Sequence, residues 1–388
     1  MYRVLIAAFA NYDAVTEIPA ILKEGGCTVD IYCAKGSWAI KSNHYDKWIQ
    51  GAGDVDSFRD DLIELATKKD PAYDWIILAD DPTIRVMNDY VEDNVALFYR
   101  LLPLTKIENR ELLGTKSGFS QLCTKYGIRT PKYLIYDATS FDVKKCGSYI
   151  GYPMLLKIDK SEGGGGVFFC DDEAAVLATI EQIKERDNLV IQQYIKGGII
   201  NVEVLYKNGE LLVYNYSKTA KTLYNEFGVS TQRLCYTNTE VEPALLQVGR
   251  SFGVNGFGNV VFIYNETEQM HYLIEVDIRP NAWIYYSKFC GNDFSRGVKN
   301  YVTNNLTLVH KEPAYDSKEV RVILFKKDVA RCLIDKDLKG LLGWMVNKNG
   351  CWKFIPWYDR VLLFATLGYL IKLYWEAISN KLFKKSKK

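Results

Sequence analysis

Residues Tyr272-Leu-Ile-Glu-Val-Asp-Ile-Arg-Pro280 decide how the rest of the chain is read. Apolar residues flank two carboxylates, and the pattern is that of a strand. Glu275 and Asp277 are two apart, so they share one face of it. An edge strand with a solvated charged face would carry the same acids. The strongly apolar neighbours argue instead for carboxylates set against a buried strand. Beside bound phosphate oxygens the pair would make a hard-oxygen site suited to magnesium. Arg279 falls on the same face and could grip a planar anion through two hydrogen bonds.

Three features lie upstream in fixed order, with a partner strand, Gly258-Asn-Val-Val-Phe-Ile263, just before Tyr272. The first is Lys116, which opens a helix over about 116–126 and leads through Gly127-Ile-Arg-Thr-Pro131 to a strand at 132–136. The second is the strand Tyr152-Pro-Met-Leu-Leu-Lys157, followed by Ser161-Glu-Gly-Gly-Gly-Gly-Val167. Four successive glycines, Gly163, Gly164, Gly165 and Gly166, raise the entropy cost of ordering the backbone. What they allow is close approach of bare N–H groups to phosphate oxygens. Lys157 would add a point charge to the same phosphates. A plain strand turning through a glycine hairpin is the competing reading. The third feature is Leu189-Val-Ile-Gln-Gln-Tyr-Ile-Lys-Gly-Gly198, running into a strand at 201–205.

The N-terminal part has a different texture. Residues 3–9 form an apolar run of the buried parallel-strand type. A helical segment at 14–24, the Gly25-Gly26 break and the strand 28–33 complete a strand–helix–strand unit, the beginning of a doubly wound α/β domain. A further strand at 74–79 ends in Asp80-Asp81-Pro82, either a helix cap or a substrate contact. Between 150 and 290 short strands alternate with turns, with one helix candidate at 172–186 whose acidic start complements the helix dipole.

The order of lysine helix, Tyr-Pro-x-x-x-Lys strand with glycine loop, Gln-Gln-Tyr-Ile hinge and Leu-Ile-Glu-Val-Asp-Ile-Arg-Pro strand resembles the ATP-grasp superfamily. It is most similar to the carbamoyl-phosphate-synthase-like and biotin-carboxylase-like carboxylate–amine ligases. The likeness covers about residues 1–310 and implies a mixed α/β and α+β architecture: an N-terminal doubly wound domain (1–110), an ATP-grasp domain of two subdomains (111–310) and an extension packing on it (311–356). It also implies ATP and Mg2+, phosphoryl transfer to a carboxylate, and attack by an amine. By the same likeness Lys116 and Lys157 grip the nucleotide phosphates and Gly163–Gly166 close over them. Gln192, Gln193, Tyr194 and Ile195 meet the adenine, Glu275 and Asp277 hold magnesium, and Arg279 neutralises the acyl phosphate. The chain departs from the family pattern at Ile199, where a ribose-binding glutamate is common, and at Val261, where a metal ligand is common. Asp277 replaces an amide, and it or Glu203 could compensate. Lys218 and Arg233 are further candidates for phosphate or acceptor contacts, with surface charge as the alternative.

Composition narrows the remainder. The 388 residues are 48% hydrophobic and 25% charged, an ordinary globular balance for two or three domains. Net charge is +2, yet residues 381–388 alone hold five lysines, so nucleic acid is not the expected partner. Nine cysteines without a Cys-x-x-Cys pair read as scattered buried thiols in a reducing cytosol. Three distant histidines leave no histidine metal site, and the N-terminus lacks the features of a signal peptide.

Residues 361–378 read as a helix with one polar stripe at Thr366, Tyr369, Lys372, Glu376 and Asn380 on an otherwise apolar surface. Such a helix is ~27 Å long, marginal for a bilayer. An amphipathic helix (357–388) lying on the anionic inner face of a membrane is the expectation, and a true span or packing on the enzyme body or in a homodimer are the alternatives. The whole reads as a cytoplasmic, peripherally membrane-associated, ADP-forming ligase. Its substrates would be a small carboxylate and an amine, one of them an envelope or lipid-linked acceptor. A non-catalytic ATP-binding protein of the same fold is the rival.

Overall fold

The computed structural model describes the chain except residues 71, 92–93, 162–164, 184–187, 224–227, 316–317 and 386–388, and over 377–385 it describes the helical backbone alone. Fourteen strands occur among the described residues. In chain order they are β1 (Tyr2–Ala8), β2 (Cys27–Cys33), β3 (Lys47–Gln50), β4 (Trp75–Leu78) and β5 (Tyr133–Ile135). Next come β6 (Met154–Lys157), β7 (Val167–Cys170), β8 (Val190–Gln193), β9 (Gly198–Lys207) and β10 (Glu210–Thr222). The last are β11 (Ser230–Cys235), β12 (Gly256–Asn265), β13 (Met270–Asp277) and β14 (Val320–Ile323).

The chain divides into two compact units. The first comprises Met1–Thr83, Leu212–Thr237 and Pro280–Lys388; the second comprises Ile84–Leu211 and Asn238–Arg279. The boundaries expected at 110 and 310 do not coincide with this division. Residues 84–110 belong to the second unit, and 280–310 join 311–388 in the first. A reading along the sequence cuts the chain into consecutive pieces, whereas the chain passes between the units four times.

In the first unit the N-terminal sheet has the order β3-β2-β1-β4, with β1 parallel to both neighbours. Its core strands are buried on both faces, as in other parallel sheets. The expected 14–24 helix starts later, at Ile18, after a single 3-10 turn at Asp13–Val15. Asp80 resolves as a cap: it accepts hydrogen bonds from Thr83 N and Thr83 Oγ1, both at 2.8 Å, and from Ala10 N at 3.2 Å. The segment 311–356, expected as a packed extension, supplies β14, antiparallel to β11, and the helices Phe325–Ile334 and Leu338–Met345.

In the second unit β5-β8-β6-β7 form an antiparallel sheet over an apolar core that includes Met154, Leu156, Ile191 and Val176. A separate antiparallel group places β12 between β9 and β13. The sequence reading missed the helix Glu242–Phe252, whose Pro243 stands in the first turn, where its missing N–H costs nothing. Leu245, Val248 and Phe252 form its buried face.

The C-terminal helix runs from Arg360 to Lys385. The polar stripe is split: Tyr369, Lys372 and Glu376 are exposed, but so are apolar residues beside them, and Thr366 is not. Thr366 is buried, together with Leu362 and Leu370, while Phe364, Leu367, Ile371 and Trp375 point to solvent. The reason is local. Asp359 caps the helix by accepting from Leu362 N, and is itself fully buried by bonds from Ser42 Oγ (2.8 Å) and Asn43 N (2.9 Å). That anchor fixes which side faces inward. Among the described residues no helix is long and apolar enough to cross a membrane. All nine cysteines are buried and unpaired, as their spacing suggested.

Candidate active site

Apart from Lys218 and Arg233, every site residue named from sequence, where described, lies in the second unit. Gly163 and Gly164 lie outside the described residues. Hydrogen bonds and strand pairing tie the four sequence features to one another.

Lys116 begins the helix Lys116–Lys125, capped by Thr115, whose hydroxyl accepts from Gly118 N. Its ammonium donates to Ser161 O at 2.6 Å, Ser161 Oγ at 3.1 Å and Asp159 O at 3.3 Å. Asp159, which the sequence reading passed over, is buried and accepts from Ser117 N at 2.7 Å. Helix start and glycine-loop entry are thereby pinned together. The acid two residues after Lys157 was the available signal, since such an acid can cap a neighbouring helix. Gly165 and Gly166 form the turn before β7. A Cβ on Gly166 would meet Ser161 Oγ at 2.2 Å, so the last glycine is required by close approach.

Lys157 ends β6, opposite Val167 of β7 and Val190 of β8. Burial pushes its ammonium down to about 8; the charge of Glu275 opposes the shift and that of Lys116 adds to it.

The hinge follows β8. Gln192 is buried, opposite Leu155 and Tyr133. Gln193 N donates to Lys132 O at 2.8 Å, and the Tyr194 ring meets Phe169 edge-on at 5.0 Å. Ile195 is buried. A Cβ at Gly197 would lie 2.2 Å from the Tyr264 carbonyl oxygen, which explains a glycine at this bend into β9.

On β13, Asp277 stands opposite Asn259 of β12, and Glu275 opposite Val261. Across the other edge of β12, Asn259 faces Glu203 and Val261 faces Asn201 of β9. Asn201, Glu203, Asn259, Glu275 and Asp277 thus share one face of three strands. Asn201 and Asn259 were missed, because asparagine on a strand carries no distinguishing spacing. The pairing then slips: Phe262 pairs with Leu273, leaving Ile274 as the extra residue of a bulge. Arg129 and Thr130, in the segment following the lysine helix, bond to the Leu273 backbone. Arg279 lies past the end of β13, its guanidinium 3.6 Å from Asp277 Oδ2.

Among the described residues no three His, Cys, Asp or Glu side chains converge on one metal position. The donors still suit magnesium. That ion is commonly held by one or two carboxylates together with substrate phosphates. The Asn259 side-chain oxygen is buried without a hydrogen-bond partner, immediately beside Asp277 in register.

Lys218 and Arg233 lie in the first unit, apart from this group in the chain's division. Arg233 is buried, donates to Ser230 Oγ at 2.9 Å and stacks 4.3 Å from the Trp283 ring centre. The first unit also contains a cavity of about 40 Å3 lined by Asp13, Glu17, Trp38 and Tyr286 among others. Asp13 pairs there with Lys326 (3.0 Å) and Lys327 (3.4 Å). Burial and then the Asp13 charge push the Glu17 carboxyl up to about 7, although the Tyr286 hydroxyl donates to it.

No family model matches the chain. It is 25% identical over 181 residues to the carbamoyl-phosphate synthase of Methanobrevibacter smithii, covering 45% of this chain and 48% of that protein. It is 24% identical over 206 residues to the D-alanine–D-alanine ligase of Fervidobacterium nodosum, covering 49% and 62%. The chain therefore spans about half to under two thirds of these relatives' length. Its fold is similar to N5-carboxyaminoimidazole synthetase from Staphylococcus aureus, whose structure is complexed with ADP, at a TM-score of 0.63 and 13% identity, covering 86% and 85% of the two chains. Taken with the ordered features of the second unit, these likenesses make the chain similar to ATP-grasp carboxylate–amine ligases.

Proposed function

We propose that the chain is an ADP-forming ATP-grasp ligase that joins a small carboxylate to an amine. The observation that carries this reading is the strand register that sets Asn201, Glu203, Asn259, Glu275 and Asp277 on one face of β9, β12 and β13. Magnesium-bound ATP would supply the phosphoryl group that activates the carboxylate; amine attack on the acyl phosphate then leaves an amide, ADP and phosphate. In this reading Lys157 and Lys116 hold nucleotide phosphates, and Gly163–Gly166 fold over them. Gln192–Ile195 offer backbone groups to the adenine. Glu275 and Asp277 hold the magnesium, with the Asn259 oxygen available at the side. Arg279 balances charge on the acyl phosphate and on the tetrahedral intermediate. Such catalysis consists of positioning and charge stabilisation, with little covalent work for the protein.

The finer reading is a cytoplasmic enzyme at the inner membrane surface, using an amino acid or similar small molecule and an envelope or lipid-linked acceptor. The lysine-rich C-terminus and the outward apolar side chains of the last helix favour it. A non-catalytic ATP-binding role has one specific observation in its favour: Val261, directly opposite Glu275, offers no oxygen to a metal.

ADP release from magnesium-ATP separates the two. Pools of amino acids, peptides and membrane extract are added in turn, with Lys157→Ala as control. Release stimulated by one pool and lost in the variant is the expected result. ATP binding that persists with no stimulated release from any pool selects the binding protein, and absence of ATP binding overturns both.

A further inference from the structure

The C-terminal helix and the shorter helix before it both pack on the Phe325–Ile334 helix in the first unit. Each turns an apolar row outward. On Leu338–Met345 the row is Leu338, Leu342 and Met345, at spacings of four and three, with Leu338 75% and Met345 74% exposed. On the C-terminal helix it is Phe364, Leu367, Ile371 and Trp375, with Phe364 70% and Trp375 62% exposed. Helical spacing brings each set onto one face. The inward faces are already satisfied: Trp344 is buried and donates its indole N–H to Asp328 Oδ2 at 2.9 Å, and Leu362 and Leu370 are buried. Core packing therefore does not require the outward residues to be apolar. Exposed apolar rows on two helices that pack on the same third helix are unusual for a surface facing only water.

Between the helices the chain presents Trp352 and Trp357, 44% and 60% exposed. Their polar edges are occupied. Trp352 Nε1 donates to Trp344 O at 2.6 Å, and Trp357 Nε1 donates to Trp352 O at 2.9 Å. The rings are thus held outward by the backbone, with hydrocarbon as the part left to contact something else.

Charge selects the occupant. Residues 336–388 carry eleven Lys and Arg against three Asp and Glu, a net +8, while residues 1–335 are net −6. Of the three acids, Asp359 is fully buried and Asp337 caps a helix through its bond from Gly340 N. A second copy of this chain would set +8 against +8 if the same faces met. An anionic bilayer answers both the charge and the apolar rows at once.

We infer that the Leu338–Met345 helix, the Trp352–Trp357 connection and the outward face of the C-terminal helix together form an in-plane docking surface for an anionic lipid bilayer. This deepens the membrane-surface reading above and rests on it. It enlarges that reading from one terminal helix and its lysines to two helices and a tryptophan-bearing turn. The surface lies in, and does not span, the bilayer, in keeping with the absence among the described residues of a helix able to cross.

The test is co-sedimentation of the full chain, without nucleotide, with vesicles of phosphatidylcholine alone or mixed with phosphatidylglycerol. Expected is binding to the mixed vesicles that weakens with salt, with a blue shift of tryptophan emission. Leu342→Glu and the pair Phe364→Glu, Ile371→Glu should each weaken it by roughly tenfold or more. These side chains are exposed, so an unchanged melting temperature checks the fold. Binding that survives both sets of substitutions would assign attraction to the terminal lysines alone and overturn the two-helix surface. Concentration-dependent dimerisation without vesicles, abolished by the same substitutions, would overturn it in favour of a second copy. No vesicle binding at all would overturn it as well. Because nucleotide is absent, none of these outcomes depends on whether the chain is a ligase.

Discussion

Lys157 carries a burden that its neighbours only partly relieve. With its ammonium pushed down to about 8, it loses charge within an accessible pH range. Its two roles respond in opposite directions. Stability is expected to rise between about pH 8 and the ordinary lysine value, because there the unfolded chain binds the proton that the folded chain has lost. ATP affinity of the free chain is expected to fall over the same range, by up to about tenfold per pH unit. Denaturant melts and nucleotide titration at matched pH check the pair. Lys157→Arg, charged throughout, should flatten the affinity profile; an affinity that ignores pH in the parent chain would remove Lys157 from the phosphate site. Glu17 gives the acid-side counterpart. Its carboxyl is pushed up to about 7, so the fold holds a proton that the unfolded chain releases from about pH 4.5. Stability should fall as pH rises from 4.5 to 7, and Glu17→Gln should remove that component from the melting profile.

Among the elements, the C-terminal helix shows what periodicity can and cannot determine. Its existence was legible from the long apolar run, but its orientation was not, since the sequence contains more apolar positions than one buried face can use. Asp359 sets the orientation through Ser42 and Asn43, more than three hundred residues away in the chain. Leu370→Ala should therefore cost about 2–5 kcal/mol of stability. Phe364→Ala, one turn and a half earlier, should stay within about 0.5 kcal/mol. Chemical denaturation of the two variants checks the assignment, and equal costs would mean the helix is rotated. The strand elements were easier. β6 and β13 were legible because each couples a short apolar run to glycine or charged punctuation, whereas β8 was read only as part of a hinge. The paired acids Glu275 and Asp277 were legible from a spacing of two. Their neighbours Asn201 and Asn259 became visible only through the β9–β12–β13 register. Asp159 was hidden for a related reason: its role is to bond Ser117 N, and no local pattern reports such a pairing.

At the scale of the whole molecule, the order of features along the chain was legible and the division into units was not. Each unit is assembled from separated segments, and the energy that groups them comes from tertiary packing rather than from any local pattern. If the two units unfold as one cooperative body, ATP at about a hundred times its Kd should stabilise the chain by about 2.7 kcal/mol in a single transition. Calorimetry with and without magnesium-ATP checks this; two transitions, of which only one moves, would mean that the units unfold separately. The buried cysteines give those units an internal clock. Cys123, Cys146 and Cys170 lie in the second unit and the other six in the first, and none is exposed. A thiol reagent can reach them only when the surrounding packing opens. The order in which the nine react, mapped by mass spectrometry, would record which unit breathes first and whether nucleotide slows that unit alone.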